Sequence, residues 1–118
     1  MFVIYYQHRL MTLSPCFEIW LILHYENAIE KYIVPKEKSI FENEKVSSSH
    51  TYISRLFSEI SGINSKSGSF FNRLKRNIDL AIEQEKFLKQ DIMSMAIDLG
   101  SNVGFLIEQM REDPRDML

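Results

Sequence analysis

A mainly α-helical fold with one or two short N-terminal strands is what this chain of 118 residues predicts, and three observations carry the prediction. The opening segment, Phe2 to Tyr6, is β-branched and aromatic, the composition of a strand. The run from Cys16 to Tyr25 is apolar nearly all round, as in a helix buried on several sides. After residue 50, apolar residues return at i, i+3, i+4, i+7, first as Ile53, Leu56, Phe57 and Ile60 and later as Val103, Leu106, Ile107 and Met110.

Leu10 to Leu13 reads as a second extended piece, so 1–13 forms a strand region. Ser14 then offers a hydroxyl to the free N–H groups of a helix start, and Pro15 at the first helical position loses no hydrogen bond. A buried helix is expected over 14–26. Apolar density falls over 27–50, where Pro35, the charged residues from Lys36 to Lys45 and Ser47, Ser48 and Ser49 predict a loop or insertion. The helical part spans 51–112. Its first helix ends at Gly62, a polar turn follows over 64–69, and a further helix is expected from Phe70 to Gln90 with Phe71, Leu74, Ile78, Ala81 and Ile82 inward. Residues 91–99 read equally as a continuation or a kink. Gly100 breaks the pattern, Ser101 and Asn102 cap a last helix, and Asp113-Pro114 stops it, leaving 113–118 as a tail.

Composition narrows the function classes. Hydrophobic residues make up 45% and charged residues 25%, enough apolar surface to fold and too much for a disordered chain. The length fits one small domain. With 14 Lys and Arg against 16 Asp and Glu, the formal charge is −2, which disfavours binding to nucleic acid through bulk charge. Cys16 is the only cysteine, so neither an intrachain disulfide nor a Cys-based zinc cluster is expected. No apolar stretch approaches the ~20 residues of a membrane span. A cytoplasmic protein without a membrane anchor is the expectation.

Two polar residues interrupt the apolar run: Glu18 and His24. On a helix they point to different faces, and Cys16 and His24 are separated by about 12 Å of axial rise, too far to share a metal ion. No H-E-x-x-H or C-x-x-C spacing occurs, so no metal ligands are assigned. A carboxylate in such a helix needs a loop or helix N-terminus to pair with, or else marks the edge of a site completed by another chain. Glu18 and His24 are therefore the catalytic candidates. Lys66, Arg73, Lys75 and Arg76 form the one basic cluster, at the start of a helix where cations oppose the helix dipole. That conflict makes them the candidate nucleic-acid contacts. The plainer reading is a solvated face on which Asp79, Glu83 and Glu85 pair with the neighbouring cations.

Ser14-Pro15-Cys16-Phe17-Glu18-Ile19-Trp20-Leu21-Ile22-Leu23-His24-Tyr25 closely resembles the N-P-C-F-E-[IL]-W-L-L-L-H-[FY] signature of the RloB-like proteins. Gly100-Ser101-Asn102-Val103-Gly104-Phe105-Leu106-Ile107 is similar to the family's C-terminal P-S-T-N-V-x-x-L-[IV] segment, without its proline and threonine. The positions that carry the resemblance are Pro15, Cys16, Phe17, Glu18, Trp20, Leu21 and His24 in the first motif and Ser101, Asn102 and Val103 in the second. It covers roughly 10 to 112 and corresponds to the C-terminal half of a Toprim-like α/β protein. In a complete family member, the resemblance implies, N-terminal carboxylates hold Mg2+ for phosphodiester chemistry. Nothing before Ser14 matches those carboxylates, so the chain resembles a truncated or split member.

The resemblance implies a role in phage defence, of the abortive-infection or restriction-linked kind, beside a partner ATPase. For this chain the expectation is a component that is non-catalytic on its own and needs no cofactor. The alternatives are a contribution to a metal-dependent nuclease completed by a Toprim-like half, and a helical nucleic-acid or protein adaptor. A short sheet would also leave strand Phe2 to Tyr6 with an unpaired edge, which predicts self-association.

Overall fold

The computed structural model of the chain describes residues 1–6, 9–62 and 71–113, and for Tyr6, Phe71 and Arg73 the backbone alone. The structure is mostly helical with a small antiparallel sheet. Strand β1 (Phe2–Tyr6) pairs with β2 (Arg9–Ser14) in a continuous register from Phe2 opposite Leu13 to Tyr6 opposite Arg9. A third strand, β3 (Gly100–Ser101), pairs with the end of β2. The sequence predicts β1 and an extended piece at β2 but not β3, because two residues are too short to show an alternation.

Helix α1 (Glu18–Ile22) is shorter than expected. Ser14 does not cap it. Ser14 remains in β2 opposite Gly100, the Ser14-Pro15 peptide is cis, and no side chain caps the helix start at Phe17. After Ile22 the chain tightens into i→i+3 turns and reverses at Asn27, whose φ is 56°. The burial expected of this run is present: Ile19, Trp20, Leu21, Ile22, Leu23 and His24 are all buried, in a core shared with Leu13, Ile53, Phe57, Ala81 and Ile82.

The segment 27–50, expected as loop, contains a π-helical turn (Ile29–Ile33), a 3-10 turn (Val34–Lys36) and α2 (Glu37–Glu42). Ala28, Ile29, Ile33 and Ile40 supply its buried face. Their spacing is irregular, which hides the helical turns from a fixed-period reading. Helix α3 (Tyr52–Ser61) matches expectation. A reciprocal capping box of Thr51 and Ser54 opens it, and Gly62 at φ 71° closes it.

The long helix expected from Phe70 to Gln90 is two helices, α4 (Phe71–Arg76) and α5 (Ile78–Glu85), separated at Asn77. Asn77 leaves helical geometry (φ −111°, ψ 15°), and its side-chain amide donates to the His24 carbonyl at 2.9 Å. Asp91 accepts from the Ser94 N–H and caps the one-turn α6 (Ile92–Met95). Helix α7 (Val103–Glu112) completes the fold and packs on α5 and β2. The polar turn 64–69, with Lys66, lies outside the described residues, as do 114–118.

Candidate functional site

The two sequence motifs are held by two adjacent residues of α5. Gln84 serves the first. Its amide donates to the carbonyls of Leu23 at 2.7 Å and Tyr25 at 2.8 Å, and its Oε1 accepts from the N–H of Ala28 at 2.9 Å. With Asn77 on the His24 carbonyl, the three carbonyls that end the apolar run are all received by side chains beside or within α5. Glu85 serves the second motif. It is fully buried, and its Oε2 accepts from the Ser101 hydroxyl at 2.7 Å and the Gly104 N–H at 2.8 Å. Its Oε1 accepts from the Phe105 N–H and from Gln90, both at 3.0 Å. A carboxyl group from α5 thus takes the place of a local N-cap at α7, where backbone donors and the helix dipole favour it.

Asn102 has no side-chain cap bond, because its side chain is turned to the sheet. Its Oδ1 accepts from the Thr12 N–H at 2.7 Å, its Nδ2 donates to the Leu10 carbonyl at 2.8 Å, and its own N–H donates to the Thr12 carbonyl at 3.1 Å. Ser101 and Asn102 therefore join β2, α5 and α7 at one point, next to the buried Val103.

Glu85 and Gln84, which hold the two motifs, are not among the residues that the sequence singles out, and Glu85 is expected there on a solvated charge face. The signal was present: Ile78, Ala81, Ile82 and Glu85 continue one i, i+3, i+4, i+7 stripe, so Glu85 falls on the inward face. Of the acids around it, Glu83 pairs with a neighbouring cation as expected, whereas Asp79 reaches across to α7. Asp79 pairs with Arg111 at 2.7 Å and Glu83 with Lys86 at 3.0 Å.

Glu18 and His24 are not brought together. Glu18 opens α1 and is half-buried rather than buried; its Oε2 accepts from the Cys16 thiol at 3.5 Å. Burial and the Glu18 carboxylate push the Cys16 pKa up to about 12, so the thiol stays protonated at neutral pH. Asn43, at φ 46°, spans from the Ile53 N–H to Cys16 Sγ and links α2, α3 and the first motif. His24 lies past the other end of α1 and is 2% exposed. Its Nδ1–H donates to the Trp20 carbonyl at 2.9 Å, and its ring meets the Trp20 indole edge-on with centroids 4.9 Å apart. Desolvation lowers its pKa, so the neutral imidazole is favoured. Pro15 is half-buried, Phe17 is exposed, and Leu21 is in the core.

The structure does bring His24 near part of the basic cluster. His24, Tyr25, Ile60, Leu74, Arg76 and Asn77 line a cleft of about 420 Å³. Lys75 and Arg76 are exposed, and neither makes an ion pair among the described residues. The side chain of Arg73 lies outside the described set. Among the described residues no three His, Cys, Asp or Glu side chains converge as a metal site, so these residues do not fit the Mg2+ centre that the resemblance places in a complete family member. No helix of the described residues is long and apolar enough to cross a membrane.

The arrangement defines a class first: a small helical domain whose two polar motifs are locked to one helix and one strand. The model of the RloB-like protein family matches residues 6–110, and the chain belongs to that family. No curated protein and no solved structure matches it.

Proposed function

We propose that this chain is the non-catalytic module of an RloB-like phage-defence system of the abortive-infection or restriction-linked kind, acting through partners such as an ATPase. The observation that supports a scaffold over an active centre is where the polar groups of its motifs are spent. Nδ1 of His24, the Cys16 thiol, Ser101 and Asn102 each hold a helix turn or strand of the domain itself. In this reading, Toprim-like phosphodiester chemistry and its Mg2+ belong to carboxylates other than those of this chain. The test is phage plating on cells that carry the native locus. Removing this gene should abolish protection, and returning it in trans should restore it; unchanged protection without the gene would refute the reading.

A second reading is favoured by one observation: Arg76 and His24 line the same cleft, with Lys75 exposed beside it. As a nucleic-acid adaptor, the protein would bind through Lys66, Arg73, Lys75 and Arg76. Affinity would then fall steeply with salt, with a log–log slope of roughly −0.9 per phosphate contact, and Arg76→Ala would flatten it. Salt-independent or absent binding to DNA and RNA would dismiss this reading.

A further inference from the structure

The fold uses only half of the His24 imidazole. Its Nδ1–H donates to the Trp20 carbonyl, and because a carbonyl only accepts, Nδ1 carries the ring proton. Burial keeps the ring neutral, so Nε2 is a bare acceptor. No group among the described residues donates to it. His24 is 2% exposed, and a polar atom on so buried a side chain calls for a donor that the chain does not supply. The same residue lines the cleft of about 420 Å³. Half-buried Tyr25, Ile60 and Leu74 give that cleft apolar walls, and the Tyr25 ring is held edge-on against Phe57 with centroids 6.3 Å apart. Two exposed polar residues complete the lining. Asn77 has its Nδ2 on the His24 carbonyl, while its Oδ1 does not cap α5 and has no partner among the described residues. Arg76 makes neither a hydrogen bond nor an ion pair among them.

We propose that this cleft binds a single nucleotide, with its base against Tyr25, Ile60 and Leu74, a base N–H on Nε2 of His24, and its phosphate on Arg76. The lining rules out simpler occupants. A bare phosphate would use Arg76 and bring nothing to Nε2, and an apolar molecule would leave both polar groups unpaired. Every nucleobase combines a flat apolar face with an N–H on its edge, and a guanidinium takes a phosphate through two parallel bonds. The volume lies near the lower end of the roughly 300–1,000 Å³ of small-molecule sites, which suits one nucleotide and not a dinucleotide. A free nucleotide and a nucleotide within a single strand share this chemistry. The inference goes beyond the adaptor reading, which needs phosphate contacts alone, and it stands whether or not that reading holds.

Calorimetric titration of the full chain with adenosine, guanosine, cytidine and uridine monophosphates, beside orthophosphate and the parent nucleosides, tests it. The expected result is one-to-one binding of a nucleotide, with orthophosphate and the matching nucleoside each weaker by roughly tenfold or more. Arg76→Ala should weaken the nucleotide by roughly tenfold and leave the nucleoside unchanged. His24→Asn keeps an amide N–H where Nδ1–H stands and has nothing at Nε2, so it should weaken nucleotide and nucleoside alike. His24→Gln, whose amide oxygen reaches the place of Nε2, should bind more tightly than His24→Asn. Lys38→Ala, which removes an exposed charge on α2, should change nothing. A short single-stranded oligonucleotide separates the two sources. Binding no tighter than that of its mononucleotide assigns the free form, and tighter binding that the mononucleotide competes away assigns the strand. No binding by any nucleotide, orthophosphate bound as tightly as the nucleotides, or wild-type affinity in folded Arg76→Ala protein would overturn the proposal. Strand binding that mononucleotides fail to compete would also overturn it, while leaving the adaptor reading intact.

Discussion

Glu85 gathers four donors into one buried carboxyl group, two of them backbone N–H groups of α7. A glutamine there keeps the size but turns an NH2 group toward donors. Glu85→Gln should therefore cost about 3 kcal/mol in urea unfolding, and a loss under 1 kcal/mol would show that α7 is capped some other way. His24 gives a pH dependence. Its native pKa is lowered by burial, so below its ordinary value of 6.5 the unfolded chain takes up a proton that the native chain resists. Its contribution is complete above pH 6.5 and is lost as pH falls toward the native pKa. The melting temperature should drop between pH 7 and pH 5, and His24→Gln should flatten that slope. Both residues bear on what the sequence could show. Glu85 is legible as the fourth member of an inward stripe, but a lone carboxylate is inward only where donors meet it, and those donors lie 5 to 20 positions away. His24 was legible as buried, while its bond to the Trp20 carbonyl, one turn back, was not.

The elements that the sequence exposed carry a clear local signal: β1 falls where a β-branched and aromatic run puts it, and α3 and α7 where the i, i+3, i+4, i+7 stripe does. The departures have local causes. Pairing with Gly100 keeps Ser14 in the sheet and shortens α1. Asn77 breaks the long helix by turning its amide to the His24 carbonyl, a partner 53 positions away that no local pattern contains. Strand β3 exists because Gly100 lets three backbones approach. A Cβ there would collide with the Met95 side chain and the Lys89 carbonyl. Gly100→Ala should therefore cost about 2 kcal/mol or more, since the Lys89 backbone has to move. Thermal unfolding of the variant checks this, and wild-type stability would mean that the β3 edge is looser than described.

Across the whole molecule, the RloB-like motifs lie far apart in sequence and meet through adjacent side chains of α5, Gln84 and Glu85. The family was legible from the motifs alone. Their joint anchoring was not, because neither motif contains the residues that hold it. In the proposed reading, Glu18 and His24 hold up the domain and carry out no chemistry. Phage plating on the native locus, with Glu18→Gln and His24→Gln introduced singly and the protein level and melting temperature checked, tests it most directly. The account predicts protection close to wild type wherever the variant remains folded. Loss of protection by a folded, normally abundant Glu18→Gln protein would contradict it and return this chain to the role of half an active site.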